Sequence, residues 1–414
     1  MAQVVIIGGG VAGVCSAHYL LEAGHQVTLV ERDEICAGSS YGNAGLIVPS
    51  HSVPLAAPGM IAKGVKWMFR PDSPFYIKPR LDGALLHWLW RFYRASRPDR
   101  MQRGLAVIRD LSLASRHLYD DLARLDGVYF DFAARGNLTV ANTPAGLAGL
   151  VHEAQILQAA GVDAEVVGPK RMAELEAAVQ IKALGGVYFA QDAHLSPDRF
   201  VRGLGAHVQA RGGTIVSGQE VSGFVAQGRR IRGLQTVDGT QIPVADQVVL
   251  AGGSWSPGLA KMVQVDLPIQ PAKGYSITCR QPPACPTTPI MLAEAKVGIT
   301  PMGERLRLAG TLELAGMDFS INARRVEAIR RSVPQYLPQL QGLDEIEVWR
   351  GLRPCTPDGL PFLGRARTWD NLTVAAGHAM IGISLGPITG RLVAQVVAGL
   401  DTEIPIEALR LDRF

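Results

Sequence analysis

Gly8-x-Gly10-x-x-Gly13 is the pattern in this 414-residue chain with the plainest chemistry. Glycines at that spacing, between a β-branched run and a helix, allow a tight bend, a close approach of a pyrophosphate to the backbone, and close helix–strand packing. The anion then rests on the helix N-terminus, where unpaired N–H groups and the dipole favour negative charge. Glu31 completes the pattern, ending the apolar run Val27 to Val30 and standing 21 residues after Gly10. A carboxylate there accepts hydrogen bonds from an adenosine ribose. Gly8, Gly10, Val11, Ala12, Gly13 and Glu31 are therefore predicted to hold a dinucleotide. The pattern does not separate FAD from NAD, and the chain has no second GxGxxG for a nicotinamide nucleotide beside a flavin.

These residues need a strand before them and a helix behind. Val4 to Ile7 is a short β-branched run suited to a central parallel strand buried on both faces. Val4 to Leu21 carries no charged residue, but it lacks a basic leader and contains four glycines, which predicts a strand and helix rather than a signal or membrane span. Pro197 starts a helical run to Ala210, Gly212-Gly213 stops it, and Thr214 to Val216 begins another strand. Val248 to Leu250 is a further buried strand running into Gly252-Gly253. A helix is expected from Ile388 to Ala398, with Pro387 suited to its first turn.

The length suits two or three domains. With 47% hydrophobic and 19% charged residues the composition is globular, excluding a disordered tail, a coiled coil or a collagen-like repeat. A net charge of +4 gives no reason to expect a nucleic-acid partner. Five cysteines without a CxxC pair predict neither a disulfide framework nor a metal centre, and a reducing, cytoplasmic setting.

From Gly38-Ser39-Ser40-Tyr41-Gly42-Asn43-Ala44-Gly45 onward the chain resembles the FAD-dependent D-amino acid dehydrogenases of the D-amino-acid oxidase and glycine oxidase superfamily. Ala57-Pro58-Gly59 with Lys66-Trp67-Met68, then Pro271-x-Lys273-Gly274-Tyr275-Ser276, Gly351-Leu352-Arg353-Pro354-x-Thr356-Pro357-Asp358-Gly359 and Gly377-His378 follow in the family's order. The resemblance implies an α/β fold: a Rossmann-type FAD-binding domain from residues 1–60, 190–265 and 345–414, with an interleaved α+β substrate domain from 61–189 and 266–344. It adds Arg32, Ser39, Ser40, Asn43, Ala44, Gly45, Leu46, Val221, Gly252 and Gly253 to the cofactor residues, with the Val221 backbone facing the adenine. It also implies that the segment Gly382-Ile383-Ser384-Leu385 faces the flavin's pyrimidine side, a bare helix cap being the alternative. Some sarcosine oxidases attach FAD to a cysteine ahead of Thr-Pro-Asp; here Gly351 holds that position, which implies noncovalent FAD.

The activity implied is oxidative deamination of small or cyclic D-amino acids, such as D-alanine, D-proline or hydroxy-D-proline, by hydride transfer from the α-carbon to the flavin. Electrons would pass to a quinone or another non-oxygen acceptor. An oxygen-using oxidase of glycine, sarcosine or D-amino acids, or a flavin-holding noncatalytic subunit, remain the alternatives. Arg353 is the expected carboxylate clamp, because a guanidinium offers a planar bidentate fork and stays charged when partly buried; pairing with Asp358 to fix the loop is the competing role. The Tyr275 hydroxyl would share the carboxylate, or be a satisfied core hydroxyl. His51 and His378 would give the amine proton a home, or be packed residues.

Residues 60–103 carry ten basic side chains (Lys63, Lys66, Arg70, Lys78, Arg80, Arg91, Arg94, Arg97, Arg100, Arg103) against three acids, interleaved with Trp67, Trp88, Trp90 and other aromatics. Such a mixture predicts peripheral contact with the inner face of the cell membrane. Aromatics packed inside with arginines solvated outside would give the same composition.

Overall fold

The computed structural model describes residues 1–57, 59, 73–80 and 82–414. Pro58, Lys66-Trp67-Met68 and the basic residues Lys63 and Arg70 lie outside them.

The predicted β-branched run forms the strand Gln3–Ile7, a central member of a six-stranded sheet. Across this sheet lie Phe362–Arg365, Leu372–Ala376, Gln247–Leu250, Gln3–Ile7, Gln26–Val30 and Thr214–Val216, all parallel except the first pair, which is antiparallel. Both faces of the central strand are covered, as its apolar run requires. Val4 and Ile6 pack under the helix Val11–Glu22, while Val5 and Ile7 face Ile231 and Leu234 of a three-stranded antiparallel sheet. The helix Pro197–Ala210 and the strand after it fall where the sequence placed them.

A second sheet of nine strands packs its core against the helix Ala323–Tyr336. Its long members are Gln270–Arg280, flanked on one side by Arg305–Leu314 and on the other by Glu345–Cys355. The last of these corrects an expectation: residues 345–355 were assigned to the FAD-binding part, yet they form the edge of the second sheet. The opposite correction applies to the helix Pro98–Leu122, expected in the substrate domain. Tyr119 and Leu122 belong to the core beneath the glycine turn, and Ile108, Leu111 and Leu118 pack on Leu385, Ile388 and Leu392.

The C-terminal helix also differs from expectation. It runs Gly382–Ala398, starting six residues early, so Pro387 sits inside it rather than in its first turn. A proline there removes the N–H that would bond the Ile383 carbonyl four residues back. Tyr119 supplies the missing donor, its buried hydroxyl giving a 2.5 Å hydrogen bond to that carbonyl. Tyr119→Phe leaves the carbonyl buried without a partner, which costs about 1–3 kcal/mol. A lowered urea midpoint with native secondary structure is the expected result; an unchanged midpoint would show that the helix does not need the donor.

Candidate active site

The two sheets meet at a cavity of about 1730 Å³ that runs from the glycine turn to Arg353. At its nucleotide end Gly8 has φ 114°, and a Cβ there would lie 2.6 Å from the Ala251 carbonyl oxygen. Only glycine holds that conformation and that approach. Gly10, Val11, Ala12, Arg32, Ser39, Asn43, Ala44, Leu46, Val221, Gly252 and Gly253 all line the cavity. Ser40 lines it too, and its hydroxyl accepts from the Val11 N–H at 3.0 Å, capping the helix start. Glu31 lines the cavity while its carboxylate accepts from the N–H of Gly9 at 2.6 Å and of Asp33 at 3.0 Å. It therefore pins the turn, and a carboxylate has lone pairs left for sugar hydroxyls.

Four expected cofactor residues support the wall from behind instead of lining it. Gly13 packs under Gly8 where any side chain would overlap a carbonyl. Gly45, at φ 71°, turns the chain into the strand Leu46–Ile47. Ser384 accepts from the Val48 N–H at 3.0 Å, and Leu385 is fully buried in the core. Gly382 and Ile383, at the N-terminal turn of the last helix, do line the cavity, and that turn has no acidic residue and no side-chain cap. Its free N–H groups offer a site for negative charge.

At the other end Arg353 projects from the edge strand across Gly274, where a Cβ would overlap the guanidinium. Nη1 donates to the Thr311 carbonyl at 2.5 Å. Among the described residues no carboxylate pairs with Arg353: Asp358, its expected competitor, is held instead by Arg413 through contacts of 2.7 and 3.0 Å. Burial pulls the Arg353 pKa below its ordinary value, though a guanidinium remains cationic.

Tyr275 lines the cavity with its ring, but its hydroxyl is engaged. It donates to Glu313 at 3.2 Å and accepts from the Asn322 N–H at 3.2 Å, so sharing a carboxylate would require breaking this pair. His51 and His378 both line the cavity. Burial pushes each down to about 4, with Lys296 adding to the effect at His51. An imidazole held there is neutral at physiological pH, which favours the packed role over the proton-accepting one. His378 is further tied to the Thr389 hydroxyl at 2.9 Å.

Several residues that matter here were not singled out from sequence. Trp349 covers Gly42 and Gly351, neither of which has room for a Cβ beneath the ring. Arg307, 1% exposed, donates to the Tyr41 and Asn43 carbonyls at 2.9 and 3.0 Å and fixes the loop that walls the cavity. The cavity-lining Ser50 gives its hydroxyl and its N–H, at 2.5 and 3.1 Å, to the fully buried carboxyl of Asp192. Trp349, Arg307, Ser50 and Asp192 lie outside the sequence motifs, and their roles depend on contacts between distant segments.

Burial raises Asp192 from 3.8 to about 7, against the lowering effect of the Ser50 hydrogen bonds. The folded protein thus binds this proton more tightly than the unfolded chain, so its stabilising contribution is complete below about pH 4 and is lost as pH rises through 7. Asp192→Asn, which keeps the shape, is expected to gain on the wild type by a few kcal/mol between pH 5 and pH 8, at about 1.4 kcal/mol per pKa unit. Unfolding midpoints at the two pH values test this; a constant gap would mean the carboxyl is not proton-bound in the fold.

Glycine turns on a parallel sheet, joined to a second sheet that presents an arginine into the same cavity, are the parts an FAD-dependent oxidoreductase of carboxylate substrates needs. Residues 3–396 match the DAO family of FAD dependent oxidoreductases, and the chain belongs to that family. The D-amino acid dehydrogenase of Methylobacterium radiotolerans is 35% identical to it, with 100% of this chain and 99% of the relative covered. That of Bradyrhizobium diazoefficiens is 34% identical with the same coverage. Among solved structures, glycine oxidase from Geobacillus kaustophilus superposes with a TM-score of 0.79 at 22% identity, covering 100% of both chains. L-proline dehydrogenase from P. horikoshii gives 0.75 at 19%, covering 100% of this chain and 97% of that one. FAD fits the residues present: bare glycine backbones at both sheet turns, an uncapped helix start and a carboxylate at the end of the second strand all line one continuous cavity.

Proposed function

We propose that this chain oxidises small or cyclic D-amino acids, such as D-alanine, D-proline or hydroxy-D-proline, to imino acids, which water hydrolyses to a keto acid and ammonia for D-alanine and to an open-chain amino keto acid for the cyclic substrates. The observation that carries the reading is Arg353, a partly buried cation at the cavity wall with no acidic partner among the described residues. A cation so placed calls for an anionic ligand, and a planar guanidinium suits a carboxylate. Curated relatives over the full length bear the D-amino acid dehydrogenase name, which supports the stereochemistry.

When bound, FAD supplies the hydride acceptor. The chain's own residues do the rest. Arg353 holds the carboxylate and so fixes the α-carbon relative to the wall formed by Gly382 and Ile383. The N-terminal turn of that helix favours negative charge at the cofactor end. Trp349, Tyr275 and Leu312 give the cavity apolar walls that limit water. Neutral His51 and His378 add no cation of their own to the pocket, which suits a neutral substrate amine.

FAD is held noncovalently in this reading. The position ahead of Thr356-Pro357-Asp358 is Gly351, roofed by Trp349, and the buried Cys355 thiol is pushed up to about 12, so thiolate is scarce. The acceptor is a quinone or another non-oxygen oxidant. Leu86, Trp90 and Tyr93 are exposed on one face of the helix Gly83–Ala95, with Arg94 stacked on Trp90 at 4.8 Å, supporting peripheral membrane contact. Among the described residues no helix is long and apolar enough to cross a membrane.

Anaerobic mixing of the yellow protein with D-alanine, D-proline, hydroxy-D-proline, glycine, sarcosine and the L-enantiomers tests the reading. Loss of visible flavin absorption with D-amino acids alone is expected. Bleaching by glycine or sarcosine instead, with peroxide in air, would move the assignment to an oxidase; no bleaching would move it to a partner-dependent subunit.

A further inference from the structure

We propose that Arg32, Trp255, Phe319 and Arg350 form a clasp across the nucleotide end of the cavity, which FAD must part to enter or leave. The strands Gln26–Val30 and Gln247–Leu250 lie on either side of Gln3–Ile7 and run parallel to it, with Val30 and Leu250 both level with Ile7. Arg32 follows the first and Trp255 the second, and both line the cavity. The Arg32 guanidinium lies over the Trp255 ring, 4.7 Å from its centre, while Asp33 holds the same guanidinium from the side at 2.9 Å. Residues that follow the two outer strands thus meet across the end of the middle one, where the glycine turn of residues 8–10 stands. A pyrophosphate held by that turn is crossed by this bridge.

The second half of the clasp comes from the other sheet. Phe319, between the strand Arg305–Leu314 and the helix Ala323–Tyr336, stacks on Trp255 with 6.3 Å between ring centres and 26° between planes. Arg350, on the strand Glu345–Cys355, sets its guanidinium 4.8 Å from the Phe319 ring centre and donates from Nε to the Phe319 carbonyl at 2.9 Å. Cation on ring, ring on ring and ring on cation make one column that ties the two sheets together. Phe319 is 45% exposed, so it does not serve to fill a core. Its loop is anchored on both sides: the buried Lys273 ammonium pairs with Asp318 at 3.2 Å and donates to the Ser320 carbonyl at 2.9 Å. Opening therefore falls to the side chains. Every contact in the column is between protein groups, so parting it costs the same whether or not FAD lies below. The clasp slows entry and exit alike and leaves the affinity nearly untouched. A residue that only touches FAD would, when lost, raise the dissociation rate alone.

The test measures both rates by flavin fluorescence, association after mixing FAD with the stripped protein and dissociation after dilution of the FAD-loaded protein. Phe319→Ala is expected to speed each about tenfold, with Kd changed by less than about threefold, because a ring stack and a cation–ring contact are lost together. Arg350→Met keeps the phenylalanine and removes the cation and its hydrogen bond; it should raise both rates by a smaller factor, and it covers the case in which alanine disturbs the loop. Phe319→Tyr keeps the stack and should match wild type. Wild-type rates in Phe319→Ala overturn the proposal. Faster dissociation with unchanged or slower association overturns it too, since the ring would then support the bound state and not bar the way. A tyrosine variant as fast as alanine has the same consequence, because the stack would not be the barrier.

Discussion

Arg353→Met is expected to lower kcat/KM for the preferred D-amino acid by about a thousandfold while leaving FAD content unchanged. Truncating one partner of a buried, hydrogen-bonded charge pair costs about 2–5 kcal/mol, and each 1.4 kcal/mol is a factor of ten. Methionine fills the volume of the aliphatic stem and carries no charge, so the fold loses a desolvated cation that has no protein carboxylate to stabilise it. Stability should therefore hold or rise, which distinguishes a ligand-binding arginine from a structural one. Arg353→Lys is not a conservative control: an ammonium is a point charge without the fork, and it cannot lie flat across Gly274. Steady-state turnover with an artificial acceptor, together with the ratio of flavin to protein absorbance, gives both readouts. Turnover within tenfold of wild type would remove Arg353 from the site.

The parts of this molecule that the sequence disclosed are those governed by local rules. A strand buried on both faces must be apolar throughout, and a turn against a pyrophosphate must be glycine. Gln3–Ile7, Gly8 and Gly10 are therefore readable without a fold. The start of the last helix was not, because Pro387 looks like a first-turn residue until Tyr119, 264 positions before the Ile383 carbonyl, supplies the donor that lets the helix begin earlier. Arg353 was legible as a candidate clamp, but that Asp358 is not its partner shows only once Arg413 is seen to hold that acid. The two roles open to the histidines could not be weighed in sequence, because a residue type carries an ordinary pKa whereas a position carries a desolvation penalty, which lowers both to about 4. Thr311, whose carbonyl accepts from Arg353, had no signal at all: its left-handed backbone, φ 61°, sits where the strand Arg305–Leu314 shifts register against Gln270–Arg280, a feature that exists only once the two strands are paired.

Gly13→Ala and Gly10→Ala should both yield colourless protein, yet for different reasons that stability measurements separate. A Cβ at Gly13 would overlap the Gly8 carbonyl oxygen, and neither side can yield. Gly8 is tied by its N–H to the Val30 carbonyl at 2.9 Å and stands against the Ala251 carbonyl. The helix cannot retreat, because Gly386 and Gly390 of the last helix fit closely against Val11 and Cys15 on its other side. Overpacking of this kind costs about 1–3 kcal/mol, so the apoprotein itself should melt several degrees lower. At Gly10 the nearest atom to a Cβ is the Ser40 hydroxyl at 3.4 Å, an ordinary contact, and φ is −77°. The apoprotein of Gly10→Ala should therefore be as stable as wild-type apoprotein. The methyl group would instead stand where the backbone meets the pyrophosphate, weakening FAD by about a hundredfold or more, on the order of 3 kcal/mol. Thermal scans of the FAD-stripped proteins and FAD titrations test the pair. Tight FAD binding by Gly10→Ala would place the pyrophosphate elsewhere, and a wild-type melting temperature for Gly13→Ala would mean that the helix and strand are free to separate.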